Sequence, residues 1–85
     1  MEAFIFVNTE AGLLWKVAEE ALTIEGVKIS KAVTGPFDVI IYAEFMKIDD
    51  LGLMIDKLQA IKGVVKSQTS IAMPLSSYML SSLED

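Results

Sequence analysis

Cysteine, histidine and arginine are all missing from this 85-residue chain. Without cysteine there is no disulfide framework and no thiol nucleophile. Without histidine as well, zinc-finger spacing and a histidine general base go too. The absence of arginine removes the side chain that reads guanine and phosphate bidentately. The seven basic residues are lysines, scattered from Lys16 to Lys66 with no stripe, and the net charge is −5. Direct binding to nucleic acid is therefore not expected. No apolar run approaches the ~20 residues of a membrane span, and no signal peptide is visible. The expectation is a soluble cytoplasmic protein with no membrane contact and no metal or other cofactor. There is no glycine-rich phosphate loop and no Ser/His/Asp set, so no catalytic residue is assigned.

What the chain does have is apolar surface, at 53% of residues. A single domain of this length buries only about 60–65% of the surface its unfolded chain exposes. Small domains usually need a disulfide, a metal or a partner subunit to hold together. With the first two excluded, a partner remains.

Apolar periodicity divides the chain into six elements. Ala3–Val7 and Val39–Phe45 are short, apolar on both faces and rich in β-formers, which predicts buried strands. Asn8 to Gly12 should break the first. Leu14, Val17, Ala18 and Ala21 fall at helical spacing from about Ala11 to Leu22, with Lys16, Glu19 and Glu20 on the wet side, and Gly26 is the stop. Val27–Val33 alternates with lysines, as an edge strand would. Leu51, Met54, Ile55, Leu58 and Ile61 form a second helical stripe, which Asp49 or Asp50 can cap and Gly63 ends. Val64–Met73 is the last strand, closed by Pro74. Trp15 reads as packing or as a contact between subunits, and the methionines as gap-fillers.

Two weakly similar halves, each strand–helix–glycine–strand, give the order β-α-β-β-α-β. That is the ferredoxin-like α+β arrangement: a four-stranded antiparallel sheet with two helices on one face. Its first and third strands are central, the two that read as doubly apolar. The second face would then show either Phe4, Phe6, Ile40 and Tyr42 or Ile5, Val7, Val39 and Ile41. Neither set belongs in water, so a two-fold dimer packing sheet on sheet is expected, as in dimeric α+β barrels, the alternative being a monomer whose tail folds back over the sheet. Residues 1–74 make the domain. Residues 75–85 form a tail, read equally well as a short helix or a loose end.

Two polar features stand out. Thr34-Gly35-Pro36-Phe37 is a turn in which Pro36 presets φ, and Asp38 follows it at the mouth of an apolar strand. Asp38 could simply accept the turn's own N–H groups, or it could be a fixed negative charge for a ligand. Ser67 and Thr69 lie two apart on the last strand, so their hydroxyls face the same way, which ordinary β-propensity also explains. Taken together, a carboxylate for an ammonium and two hydroxyls for a carboxylate would suit a zwitterion such as an amino acid.

The stretch TGPFDVIIYAEF resembles the Gly-x-aromatic-Asp turn of the effector-binding domain of Lrp/AsnC-type transcriptional regulators, the RAM domain. Ile61-Lys62-Gly63-Val64 leading into Ser67-Gln68-Thr69-Ser70-Ile71 is a second match, and the likeness runs from Ala3 to Met73. It implies a sheet-to-sheet homodimer, assembly to tetramers or octamers, and an amino-acid effector at a subunit interface. By the same likeness Gly35, Phe37, Asp38, Ser67 and Thr69 line the effector site, with Thr34 and Gln68 behind them. The chain begins at the first strand, so it looks like a stand-alone RAM domain that could co-assemble with a full-length regulator. The competing expectations are a small dimeric α+β barrel enzyme and a ligand-free structural partner domain.

Overall fold

The computed structural model describes residues 1–75. Six elements follow one another: β1 (Glu2–Thr9), α1 (Leu14–Ala21), β2 (Val27–Ala32), β3 (Val39–Glu44), α2 (Ile48–Gln59) and β4 (Val64–Ile71). The sheet order is β2-β3-β1-β4, antiparallel throughout. This is the expected ferredoxin-like order, with the two most apolar strands in the centre.

Alternation along the central strands fixes the core. Ala3, Ile5 and Val7 of β1 and Val39, Ile41 and Ala43 of β3 are buried under the helices. Val17, Ala18 and Ala21 of α1 and Leu51, Met54 and Leu58 of α2 close over them, and among the described residues no polar or charged residue is buried. The open face therefore carries the first of the two sets left undecided above: Phe4, Phe6, Ile40 and Tyr42. Among the described residues β1 and β3 are covered on one face only, and Phe4 is 40% exposed.

Several boundaries differ from the sequence reading. β1 runs through Asn8 to Thr9, because a bulge there keeps the strand paired to β4. In β2 the register shifts between Val27 and Ile29, so Ile29 and Lys31 align with Tyr42 and Ile40 on the open face. Helix α1 is shorter than expected and starts at Leu14, with Leu13 as an uncapped N-cap residue. Asp49 and Asp50 do not cap α2: Lys47 is its N-cap, and both aspartates lie inside the first turn. There they oppose the positive end of the helix dipole, as Lys57 in the last turn opposes the negative end. Trp15 is not packed into the core but is 74% exposed on α1. The expectation for the tail falls, beyond Leu75, outside the described residues. Among the described residues no helix is long and apolar enough to cross a membrane.

Candidate functional site

The β2–β3 connection is bonded to the end of β1. The Val33 N–H donates to the Asp38 carbonyl at 2.9 Å, closing the loop on itself. The Asp38 N–H then donates to the Val7 carbonyl at 2.9 Å. The Asp38 carboxylate turns the same way: its Oδ2 accepts the Thr9 N–H at 2.8 Å and the Thr9 hydroxyl at 3.4 Å. Asn8 Nδ2 reaches across to the Pro36 carbonyl at 2.9 Å. Gly35 holds φ +109°, a conformation open to glycine at little cost. The aromatic ring of Phe37 packs tilted on Phe6, with centroids 5.2 Å apart.

The Asp38 carboxylate therefore does not accept N–H groups of its own turn. It clamps the loop to β1 through Thr9, a residue the sequence reading placed in the break after the strand. Only Oδ2 is used, and Oδ1 has no hydrogen-bond partner among the described residues. Asn8 and Thr9 are thus part of the site's framework. A single sequence gave no signal for them, because their role depends on which strand the loop meets.

The register also assigns a face to each polar residue of β4. Gln68 is the partner of Phe6 and shares the open face. Ser67 and Thr69 are the partners of Val7 and Ile5, so their hydroxyls share the helix face, as the two-residue spacing required of the pair. Gln59 of α2 donates from Nε2 to the Ser67 hydroxyl at 3.4 Å. Phe37, Asp38 and Gln68 therefore gather at one end of the open face with Phe6. Within one chain the sheet lies between that group and Ser67 and Thr69. Thr34 and Gly35 are exposed on the loop, and Thr34 lines a groove of about 510 Å³ beside Trp15.

Two further grooves meet at the opposite end of the sheet. One, of about 260 Å³, lies between Glu25, Glu44, Met46, Leu53 and Lys57 over the buried Phe45 and Met54. The other, of about 660 Å³, runs past Met1, Glu2, Lys28, Met46, Ala72 and Pro74. On the open face nearby, the Tyr42 hydroxyl donates to Glu2 and lies 3.1 Å from Glu44 Oε2. The Glu2 hydrogen bond, helped by partial desolvation and by Glu44, holds the phenol above the ordinary tyrosine range. Sequence reasoning missed this cluster, which exists only because Glu2 and Glu44 are paired across β1 and β3. Among the described residues no group of three or more acidic side chains is placed to hold a metal.

A two-helix, four-stranded antiparallel layer with one uncovered face and a loop clamped at its end is an α+β domain of the ferredoxin-like class. Within it, the chain belongs to the family described as the Lrp/AsnC ligand binding domain, whose profile matches residues 2–79. The crystal structure of hypothetical protein PHS023 from Pyrococcus horikoshii is similar at 31% identity and a TM-score of 0.79, over 91% of this chain and 93% of that one. E. coli AsnC shares the fold at 21% identity and a TM-score of 0.78, over 87% of this chain and 51% of its own. Transcriptional regulator NMB0573 of Neisseria meningitidis, solved in complex with L-Met, is similar at 24% identity and a TM-score of 0.74, over 86% of this chain and 49% of its own. The chain thus spans about half the length of these two regulators. No curated protein matches it.

Proposed function

We propose that this ligand-binding regulatory domain senses an amino acid, at a site completed between subunits, and has no catalytic role. The observation that carries the reading is the clamped Asp38. The loop is fixed at the rim of the open sheet face, and one carboxylate oxygen has no hydrogen-bond partner among the described residues. A free carboxylate oxygen there suits a ligand ammonium through a charge-assisted hydrogen bond. The likeness to a regulator crystallised with L-Met supports the ligand class.

Since the sheet separates Asp38 from Ser67 and Thr69 within a chain, the zwitterion reading needs two subunits. Gly35, Phe37 and Asp38 of one copy would hold the ammonium and side chain, with Thr34 and Gln68 flanking them. Ser67 and Thr69 of a neighbouring copy would donate to the carboxylate. Sheet-to-sheet homodimers assembled into tetramers or octamers would supply such boundaries. Co-assembly with a full-length regulator would carry the signal to transcription in the cytoplasm, without direct contact between this domain and nucleic acid.

A thermal-shift screen over the common amino acids tests the reading. A ligand that binds only the folded state raises its apparent stability, by an amount that grows with the logarithm of its concentration above the dissociation constant. One or a few amino acids are expected to raise the melting temperature, and a flat response across the whole set would refute the proposal.

A further inference from the structure

The chain's one tryptophan, Trp15, stands 74% exposed on α1. Helical spacing explains its position: Val17, Ala18 and Ala21 take the core side of α1, and Trp15 lies off that stripe. Tryptophan is highly buried on average, and a large indole surface left in water calls for a contact. Here it forms one wall of the groove of about 510 Å³, with Leu14, Ala32, Val33 and Thr34. Among the described residues no charged side chain lines this groove. The two grooves at the opposite end differ, since carboxylates and a lysine rim each of them.

The fold holds both walls of the groove in place and sets it close to Asp38. The Ser30 hydroxyl donates to the Ala18 carbonyl at 2.8 Å and so ties β2 to α1. Ala32 pairs with Val39 of β3, and the Val33 N–H donates to the Asp38 carbonyl at 2.9 Å. The rim at Val33 is therefore one hydrogen-bonded step from Asp38, and adjacent strands are about 4.8 Å apart. The Asp38 carboxylate reaches the other way, to Thr9 of β1, and β3 runs between β1 and β2. An ammonium held by that carboxylate leaves the rest of the ligand at least one strand spacing from the groove. Three or four carbon–carbon bonds of about 1.5 Å cover the step, and the lone methyl of alanine does not. The surface that receives such a side chain is an indole with the aliphatic groups of Leu14, Ala32 and Val33. A charged side chain entering it would lose water and gain no partner.

We infer that the groove between Trp15 and Thr34 receives the far end of the ligand's side chain, so that the ligand is an amino acid with a large apolar side chain and Trp15 is the residue that selects it. The inference rests on the amino-acid site proposed above and adds the chemistry of its side-chain wall. Thr34 then stands between the groove and the clamped carboxylate, joining the two parts of one site.

Trp15 is also the reporter. Wild type is titrated with L-leucine, L-methionine, L-phenylalanine, L-alanine, L-lysine and L-glutamate, by calorimetry and by emission excited where only indole absorbs. A large apolar amino acid is expected to bind about 10–100-fold more tightly than L-alanine, the range that added methylenes give in an apolar pocket. Its binding should shift the emission to the blue, because the ligand covers an indole that otherwise faces water. Trp15→Ala, an exposed substitution, should cut the preference over L-alanine about 10-fold, and Trp15→Phe should restore most of it. Both variants should sediment as wild type does. Equal or tighter binding of L-alanine, L-lysine or L-glutamate would overturn the inference and leave the amino-acid site standing. Unchanged emission on binding, or an unchanged preference in Trp15→Ala, would do the same. A Trp15→Ala protein that dissociates in sedimentation would make Trp15 a contact between subunits and the inference wrong. Binding by none of these six, with another amino acid raising the melting temperature, removes the inference alone. A flat response to every common amino acid removes it together with the proposed site.

Discussion

Asp38 combines a structural bond with a free oxygen, and the two can be separated by substitution. Asn at this position keeps an oxygen to accept the Thr9 N–H but loses the charge. Asp38→Asn is expected to weaken amino-acid binding by about 1–3 kcal/mol, the scale of a charge-assisted hydrogen bond, with a much smaller loss of stability. Calorimetry set beside urea unfolding of the same variant checks both halves. Replacing Ser67 with Ala and Thr69 with Val should also lower affinity, through the hydroxyls that would meet the ligand carboxylate. Tyr42 offers a pH test of its surroundings. Its phenol is held above the ordinary value of about 10 by the hydrogen bond to Glu2, so the protonated form favours the folded state. That contribution is complete below the unfolded tyrosine pKa and disappears as pH rises beyond it. In a Tyr78→Phe background, phenolate absorbance should appear later than in a free tyrosine, and Glu2→Gln should move it back down.

At the scale of elements, the glycines separate steric from conformational demands. Gly63 sits between α2 and β4 at φ +104°, and a Cβ there would lie 2.9 Å from Leu13 Cβ and 3.1 Å from Val17 Cγ2. Gly12 also has positive φ, +84°, yet a Cβ would meet nothing within 4 Å. Gly63→Ala should therefore cost about 1–3 kcal/mol, and clearly more than Gly12→Ala, in matched urea melts. The sequence read these elements well where local pattern and burial coincide. Val17, Ala18 and Ala21, and Leu51, Met54 and Leu58, form the expected stripes, and the doubly apolar runs are the central strands. It failed where a distant partner decides. Thr9 stays in β1 because of pairing to β4 and the Asp38 clamp, and the β2 bulge sends Ile29 to the open face. The candidate site shows the same limit. Spacing put Ser67 and Thr69 on one face, but only their pairing with Val7 and Ile5 shows that it is the helix face, away from Phe37 and Gln68.

At the scale of the molecule, the open face of Phe4, Phe6, Ile40 and Tyr42 is the feature that the described residues leave unsatisfied. Ile40→Asp places a charge in its middle. It should shift the protein from dimer to monomer in sedimentation at micromolar concentration, because the paired sheets would bury that charge without a partner. An unchanged dimer would mean that the sheets do not pair through this face. The amino-acid reading depends on assembly as well, since the site needs groups from both sides of the sheet. The central claim is thus an amino-acid site between subunits. Isothermal titration of the assembled wild type with each common amino acid, repeated on Asp38→Asn, tests it most directly. Saturable heat for one or a few amino acids, strongly weakened in Asp38→Asn while its melting temperature stays near wild type, is the expected result. No binding by any amino acid, with a large fall in the melting temperature of Asp38→Asn, would make Asp38 a structural clamp and contradict the account.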